Sequence, residues 1–163
     1  MTPQLIEVLN QAKANQKSIK EFFSKLKSRK IKNLDSIFHE LHDEVFAEIS
    51  CLDCASCCSS ISPIVTDNDI ARVSKHLRIK PSKLVNDHLH LDHEHDYVFK
   101  QTPCPFLMAD KCCSIYEVRP RACREYPHTD RSNIHQILNL TYKNVFVCPA
   151  VALIVDRLKK QIG

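Results

Sequence analysis

C-L-D-C-A-S-C-C, residues 51–58, puts four thiols into eight positions of a chain that holds nine cysteines in 163 residues. Cys51, Cys54 and Cys57 recur every third residue, so one backbone turn is able to aim three sulfurs at a single centre, as metal knuckles and iron–sulfur loops do. The adjacent pair Cys57 and Cys58 cannot easily join each other or face one way. The stretch therefore predicts a loop that nucleates one or two metal sites, with cysteines from elsewhere returning to complete them.

The surroundings narrow this. A chain of this length is large enough to bury a hydrophobic core without staples, so the metal is not expected to be all that holds the fold. Met1 leads into a polar, helical-looking segment with no apolar signal core, and no later run approaches the length of a bilayer span. A cytoplasmic, reducing address is expected, where clustered cysteines serve metals or redox chemistry more often than structural bridges. The only glycine is Gly163, which removes the glycine-dependent phosphate cradles and with them a nucleotide. The formal charge of +4 counts thiols as neutral. Each four-thiolate zinc or [4Fe–4S] centre adds about −2, so the basic balance reads as compensation for thiolates and not as a nucleic-acid footprint.

Upstream, Leu5, Val8, Leu9 and Ala12, then Ile19, Phe22, Phe23 and Leu26, repeat at helical spacing. Lys13 to Lys32 contains eight positive residues and one acid, Glu21. From Leu34 the period resumes through Ile37, Phe38, Leu41, Val45 and Ile49, now with Asp35, Glu40, Asp43, Glu44 and Glu48 between. A basic helix followed by an acidic one suits an antiparallel hairpin, and its basic face also offers a surface to a protein partner. His39 and His42 sit in the acidic helix and read as surface residues more readily than as ligands.

Downstream, Thr66 and Asp69 have capping-box spacing for a helix from about Asp67 to His76, and Pro81 suits the first turn of another. His88, His90, His93 and His95 lie in a run dense in acids, which reads as a charged connection leading to a short strand at Tyr97–Lys100. Prolines flank Cys104 and suit a ligand presented from a loop. Ser114 and Glu117 predict a helical turn starting just after Cys113. Cys123 is bracketed by Arg119, Arg121 and Arg124, and Arg119 and Arg124 are the arginines expected to stabilise thiolates at the bound centre. Pro149 opens a final helix through Val151, Ile154, Val155 and Leu158, with Cys148 just before it.

Together these motifs resemble the YkgJ-type cysteine-cluster family, described as zinc- or iron-chelating. The resemblance runs through Cys51, Cys54, Cys57 and Cys58; Cys104, Phe106 and Leu107; Cys113, Ile115 and Tyr116; Arg119, Pro120, Cys123 and Arg124; Tyr126 and Pro127; and Cys148 with Pro149. It implies metal ligation by Cys51, Cys54, Cys57, Cys58, Cys104, Cys113, Cys123 and Cys148. Setting aside Cys112, which has no counterpart in the pattern, leaves eight thiols, enough for two four-thiolate sites. Ala55 stands where the family usually has glycine.

The fold expected is mainly α. It is one small domain whose N-terminal helical hairpin, short helices and irregular loops are organised around a cysteine-ligated metal centre, with an arm over residues 1–50 and a cysteine-cluster domain over residues 51–163. The cofactor expected is an iron–sulfur cluster, [4Fe–4S] ahead of Zn2+, because Cys51, Cys54 and Cys57 with a remote Cys148-Pro149 step follow iron–sulfur grammar and no second C-x2-C knuckle is present. A structural or redox role is the first reading. An enzyme of the protein-lysine methylase type is an alternative, with Glu125, Tyr126 and His128 as the side chains to mutate first, and a thiol-redox switch using Cys57, Cys58, Cys112 and Cys113 is another.

Overall fold

The computed structural model describes every residue except Lys30, Leu52 and Asp53. One lysine of the basic segment and the middle of the first Cys-x2-Cys step thus lie outside the described residues. The chain is mainly helical and divides into two compact units, Met1–Cys54 with Pro127–Gly163, and Ala55–Tyr126.

In the first unit α1 (Pro3–Ala14) starts where Thr2 accepts the Leu5 N–H and Pro3 fills the first turn. Helices α2 (Gln16–Ser28) and α3 (Leu34–Glu48) follow. The acidic helix finds its apolar partner further along the chain. Phe38 and Val45 of α3 are fully buried, as are Val151, Ile154 and Leu158 of the final helix, which runs from Pro149 to Ile162 and packs on both α3 and α1. The basic helix packs on the Leu138–Asn144 helix, where the Phe23 and Tyr142 rings meet edge to face at 5.5 Å. Charge follows the same pairing, since Arg157 reaches Glu48 at 2.7 Å and Glu44 at 3.4 Å. Asp35 accepts the N–H groups of Asn133 and Ile134 at 2.6 and 3.0 Å, which starts the 3-10 turn Ile134–Ile137. Among the described residues no single helix is long and apolar enough to cross a membrane.

The second unit is built from short pieces. These are α4 (Ser56–Ser60), α5 (Asp67–Leu77), α6 (Pro81–His88), strands β1 (Leu89–Leu91) and β2 (Tyr97–Phe99), and α7 (Arg121–Glu125). The expected capping box closes α5, with Thr66 and Asp69 satisfying each other's backbone N–H. The strands pair antiparallel in the register Leu89↔Phe99, His90↔Val98 and Leu91↔Tyr97. The histidine-rich run is therefore a β-hairpin whose turn is fixed by Asp92, which accepts the Glu94 and Asp96 N–H groups at 2.8 and 3.0 Å. Val65, Ile70, Val73, Leu84, Leu89, Phe99, Phe106 and Ile115 form one apolar core, against which Cys104 and Cys113 pack. Helices α8 (Leu138–Asn144) and α9 (Pro149–Ile162) complete the chain in the first unit.

Candidate metal centre

Four cysteines of the second unit come within electrostatic reach of one another by three separate routes. Cys58 lies in α4, and its carbonyl accepts the Cys104 N–H at 2.8 Å, which ties the first cysteine stretch to the second. Cys104 and Cys113 belong to a small hairpin. Leu107 bridges Cys113, Ser114 N–H donates to the Phe106 carbonyl at 2.9 Å, and Met108 N–H donates to the Cys112 carbonyl at 2.8 Å. Lys111 turns the chain with φ of 68°. Cys123 is carried by α7.

The sulfurs register one another's charge. Burial pushes the Cys104 thiol up, and charge on Cys58 and Cys113 adds to the effect. Burial also raises Cys113, with Cys58 contributing. Cys123 is pushed up to about 12, first by burial and then by Cys58, Cys104 and Cys113. Arg119 acts in the opposite sense on both Cys113 and Cys123. Its guanidinium carbon lies 3.9 Å over the Tyr116 ring, and it donates to the Tyr116 carbonyl at 2.6 Å, which holds the charge in place. Arg124 is exposed. Cys57 stands with its sulfur 4.0 Å from that of Cys58, and its hydrogen bond lowers Cys58 to about 7 against the pull of burial.

In the first unit Cys148 precedes α9, and Cys51 and Cys54 follow α3. Burial pushes Cys148 up to about 12, with Cys51 and Cys54 adding to it. The Ala150 and Val151 amides favour its thiolate without closing a full capping hydrogen bond. The same local geometry recurs at Cys104, favoured by the Phe106 and Leu107 amides, and at Cys113, favoured by the Ile115 amide. Amides two or three residues beyond a cysteine soften the negative charge of a bound thiolate and are among the levers that tune a sulfur-ligated metal.

The donor chemistry suits a thiophilic metal. Soft sulfurs are grouped, partly buried and met by backbone amides and one arginine. Among the described residues no three Cys, His, Asp or Glu side chains are gathered tightly enough to hold an ion as they stand. Burial and nearby thiolate charge favour the neutral form at Cys104, Cys113, Cys123 and Cys148. A cation reverses both effects. The donor chemistry of these residues therefore fits a cysteine-bound metal.

A family model with the signature CxxCxxCC, described as "Putative zinc- or iron-chelating domain", matches residues 50–145. The chain belongs to that family. No curated protein and no solved structure matches the chain. The CxxCxxCC match stops short of Cys148, so it is the fold that brings this thiol within the electrostatic influence of Cys51 and Cys54.

Several expectations change. Cys113 sits on a hairpin, and Ser114 donates its hydroxyl to the Phe106 carbonyl at 3.2 Å; the 3-10 turn begins only at Tyr116. Capping-box spacing was misleading there because the hairpin takes the hydroxyl first. The φ of Ala55 is 51°, so this position does use the left-handed conformation that favours glycine. His42 places Nδ1 2.8 Å from the Thr129 hydroxyl and its ring on Phe46, while the His88 ring lies against Phe106 at 5.1 Å. Glu125 accepts from Arg121 at 2.5 Å. The hairpin joining Cys104 to Cys113 was missed, although Asp110-Lys111 between Met108 and Cys112 is a turn signal.

Proposed function

We propose that this CxxCxxCC protein binds an iron–sulfur cluster through its cysteines, with a structural or redox role. What supports iron–sulfur over zinc is the return of Cys148, followed by Pro149, to the neighbourhood of Cys51 and Cys54. A C-x2-C-x2-C loop with a remote Cys-Pro is the grammar of iron–sulfur ligation. Cys58, Cys104, Cys113 and Cys123 form the second donor set, and four thiolates there also suit a closed structural zinc site, which is the second reading.

A bound cluster supplies one-electron chemistry. The chain's own part is to hold the sulfurs, limit water by burying Cys148 and half-burying Cys123, and offset thiolate charge with amides and Arg119. The test is anaerobic purification with analysis of iron, sulfide and zinc and a visible spectrum. A coloured protein with iron and acid-labile sulfide is expected. A colourless one with stoichiometric zinc overturns the iron reading and establishes the second, and a protein that takes up neither metal overturns both.

A further inference from the structure

The short helix that carries Cys123 does not hold itself. It spans five residues, far below the length at which a helix is stable alone, and Pro120 at its N-cap supplies no side-chain acceptor. The cap comes from elsewhere. Asp69 on α5 has a side chain only 1% exposed and receives four donors. Its Oδ2 accepts the Thr66 N–H at 3.0 Å and the Thr66 hydroxyl at 2.7 Å, which belong to the cap of α5. Its Oδ1 accepts the Arg121 N–H at 3.0 Å and an Arg72 N–H at 2.5 Å, and neither of these serves α5's cap. Arg72 in turn donates to the Arg119 carbonyl at 2.9 Å and the Val118 carbonyl at 3.4 Å. Three hydrogen bonds from one ion pair, its carboxylate buried and its guanidinium 31% exposed, therefore fix the backbone from Val118 to Arg121, the segment that delivers Cys123.

We propose that Asp69 and Arg72 are positioning residues for the Cys123 thiol. They brace the segment before α7 so that this sulfur is presented to Cys58, Cys104 and Cys113. The consequence for metal retention rests on the metal-binding reading above, whereas the bracing itself does not.

The metal-free, reduced 163-residue chain is labelled with iodoacetamide under native conditions, and the rate at each cysteine is read by peptide mass spectrometry, with Cys113 as the internal reference. In Asp69→Asn the Cys123 thiol is expected to label on the order of tenfold faster, since a buried charged acceptor is lost and local opening becomes easier. Arg72→Lys is expected to give about threefold, because an ammonium cannot span both carbonyls as the guanidinium fork does. Thr66→Ala removes the hydroxyl of α5's cap and leaves Asp69 Oδ1 in place, so Cys123 is expected to stay within about twofold of the parent chain. Equal acceleration in Thr66→Ala and Asp69→Asn, or no acceleration at Cys123, overturns the proposal. Should Asp69→Asn fail to fold, Arg72→Lys against Thr66→Ala decides it. After reconstitution with iron and sulfide, Asp69→Asn is expected to retain less metal than Thr66→Ala; equal retention overturns the link to the metal. A parent chain that takes up no metal overturns the function reading and leaves the labelling result to decide the bracing.

Discussion

Helices of 12 to 15 residues carry most of the first unit, and their apolar stripes bury Phe38, Val45, Val151, Ile154 and Leu158 on one another. No helix of the second unit exceeds 11 residues, its named sheet has two strands of three residues, and its core of eight residues is edged by Cys104 and Cys113. The first unit's long helices bury a core of their own, although Cys51, Cys54 and Cys148 also lie in that unit. In the second the thiols are part of the core's wall, so whatever the thiols bind belongs to its stability. Structural metal binding is worth on the order of 10 kcal/mol in small modules, which exceeds what so small a core offers alone.

Metal removal is the largest expected effect and the most direct way to break this contrast. Chelation under reducing conditions should lower hydrogen-exchange protection in α5, β2 and Phe106–Ile115 on the order of a hundredfold or more, with less than about tenfold change in α2 and α8. Equal loss in both units would mean that the long helices also depend on the metal. Next in size comes the reverse test. Leu158 is fully buried in α9, and Leu158→Ala should cost about 2–5 kcal/mol in denaturant unfolding of the first unit's helices. A loss below about 1 kcal/mol would show that this core is looser than its burial implies.

A smaller effect separates the units by pH. Burial would raise the Asp69 carboxyl, but hydrogen bonds from Thr66, Arg72 and the Arg121 N–H outweigh it and hold the pKa below the ordinary 3.8. The folded chain thus keeps the anion more strongly than the unfolded one. Its stabilisation is whole above that ordinary value and is lost as pH falls through the lowered folded value. Thiols are neutral throughout this window, so in the metal-free chain the acid loss should concentrate in the second unit and flatten in Asp69→Asn. Acid unfolding followed by hydrogen exchange checks it; an unchanged profile in the variant would remove Asp69 from the account.

How far the sequence carries also differs between the units. Helical periodicity and the proline and threonine starts located α1, α3, α5, α6 and α9, because those signals are local. Which helix α3 would pack against was not legible, since its charge pattern matched the neighbouring basic helix as well as distant Arg157. The resemblance put eight cysteines forward as donors, and how they group could be read only from the fold. Cys148 comes within the electrostatic influence of Cys51 and Cys54 across more than half of the chain, and the Cys104–Cys113 hairpin outcompetes a capping signal at Ser114. Asp69 read as a helix cap, which it is, while its second oxygen serves a segment 52 residues on, and no local pattern records that.

Ala55 gives the smallest expected effect and returns to the first cysteine stretch. Its backbone is left-handed, with φ of 51° and ψ of 17°, just before α4 delivers Cys57 and Cys58. An L-residue with a Cβ pays roughly 1–2 kcal/mol there, and glycine does not. Glycine surrenders part of that gain, because the unfolded chain becomes freer and a methyl group now only 6% exposed is lost. The relief outweighs these losses only narrowly, so Ala55→Gly should raise the stability of the second unit by less than about 1 kcal/mol, read as a shift in denaturant midpoint at constant slope. The gain should persist in the metal-free chain, because the strain is in the backbone and not in the ligation. A net loss would mean that the buried methyl packs well enough to hold the turn, and that alanine is the better residue in this loop despite its conformation.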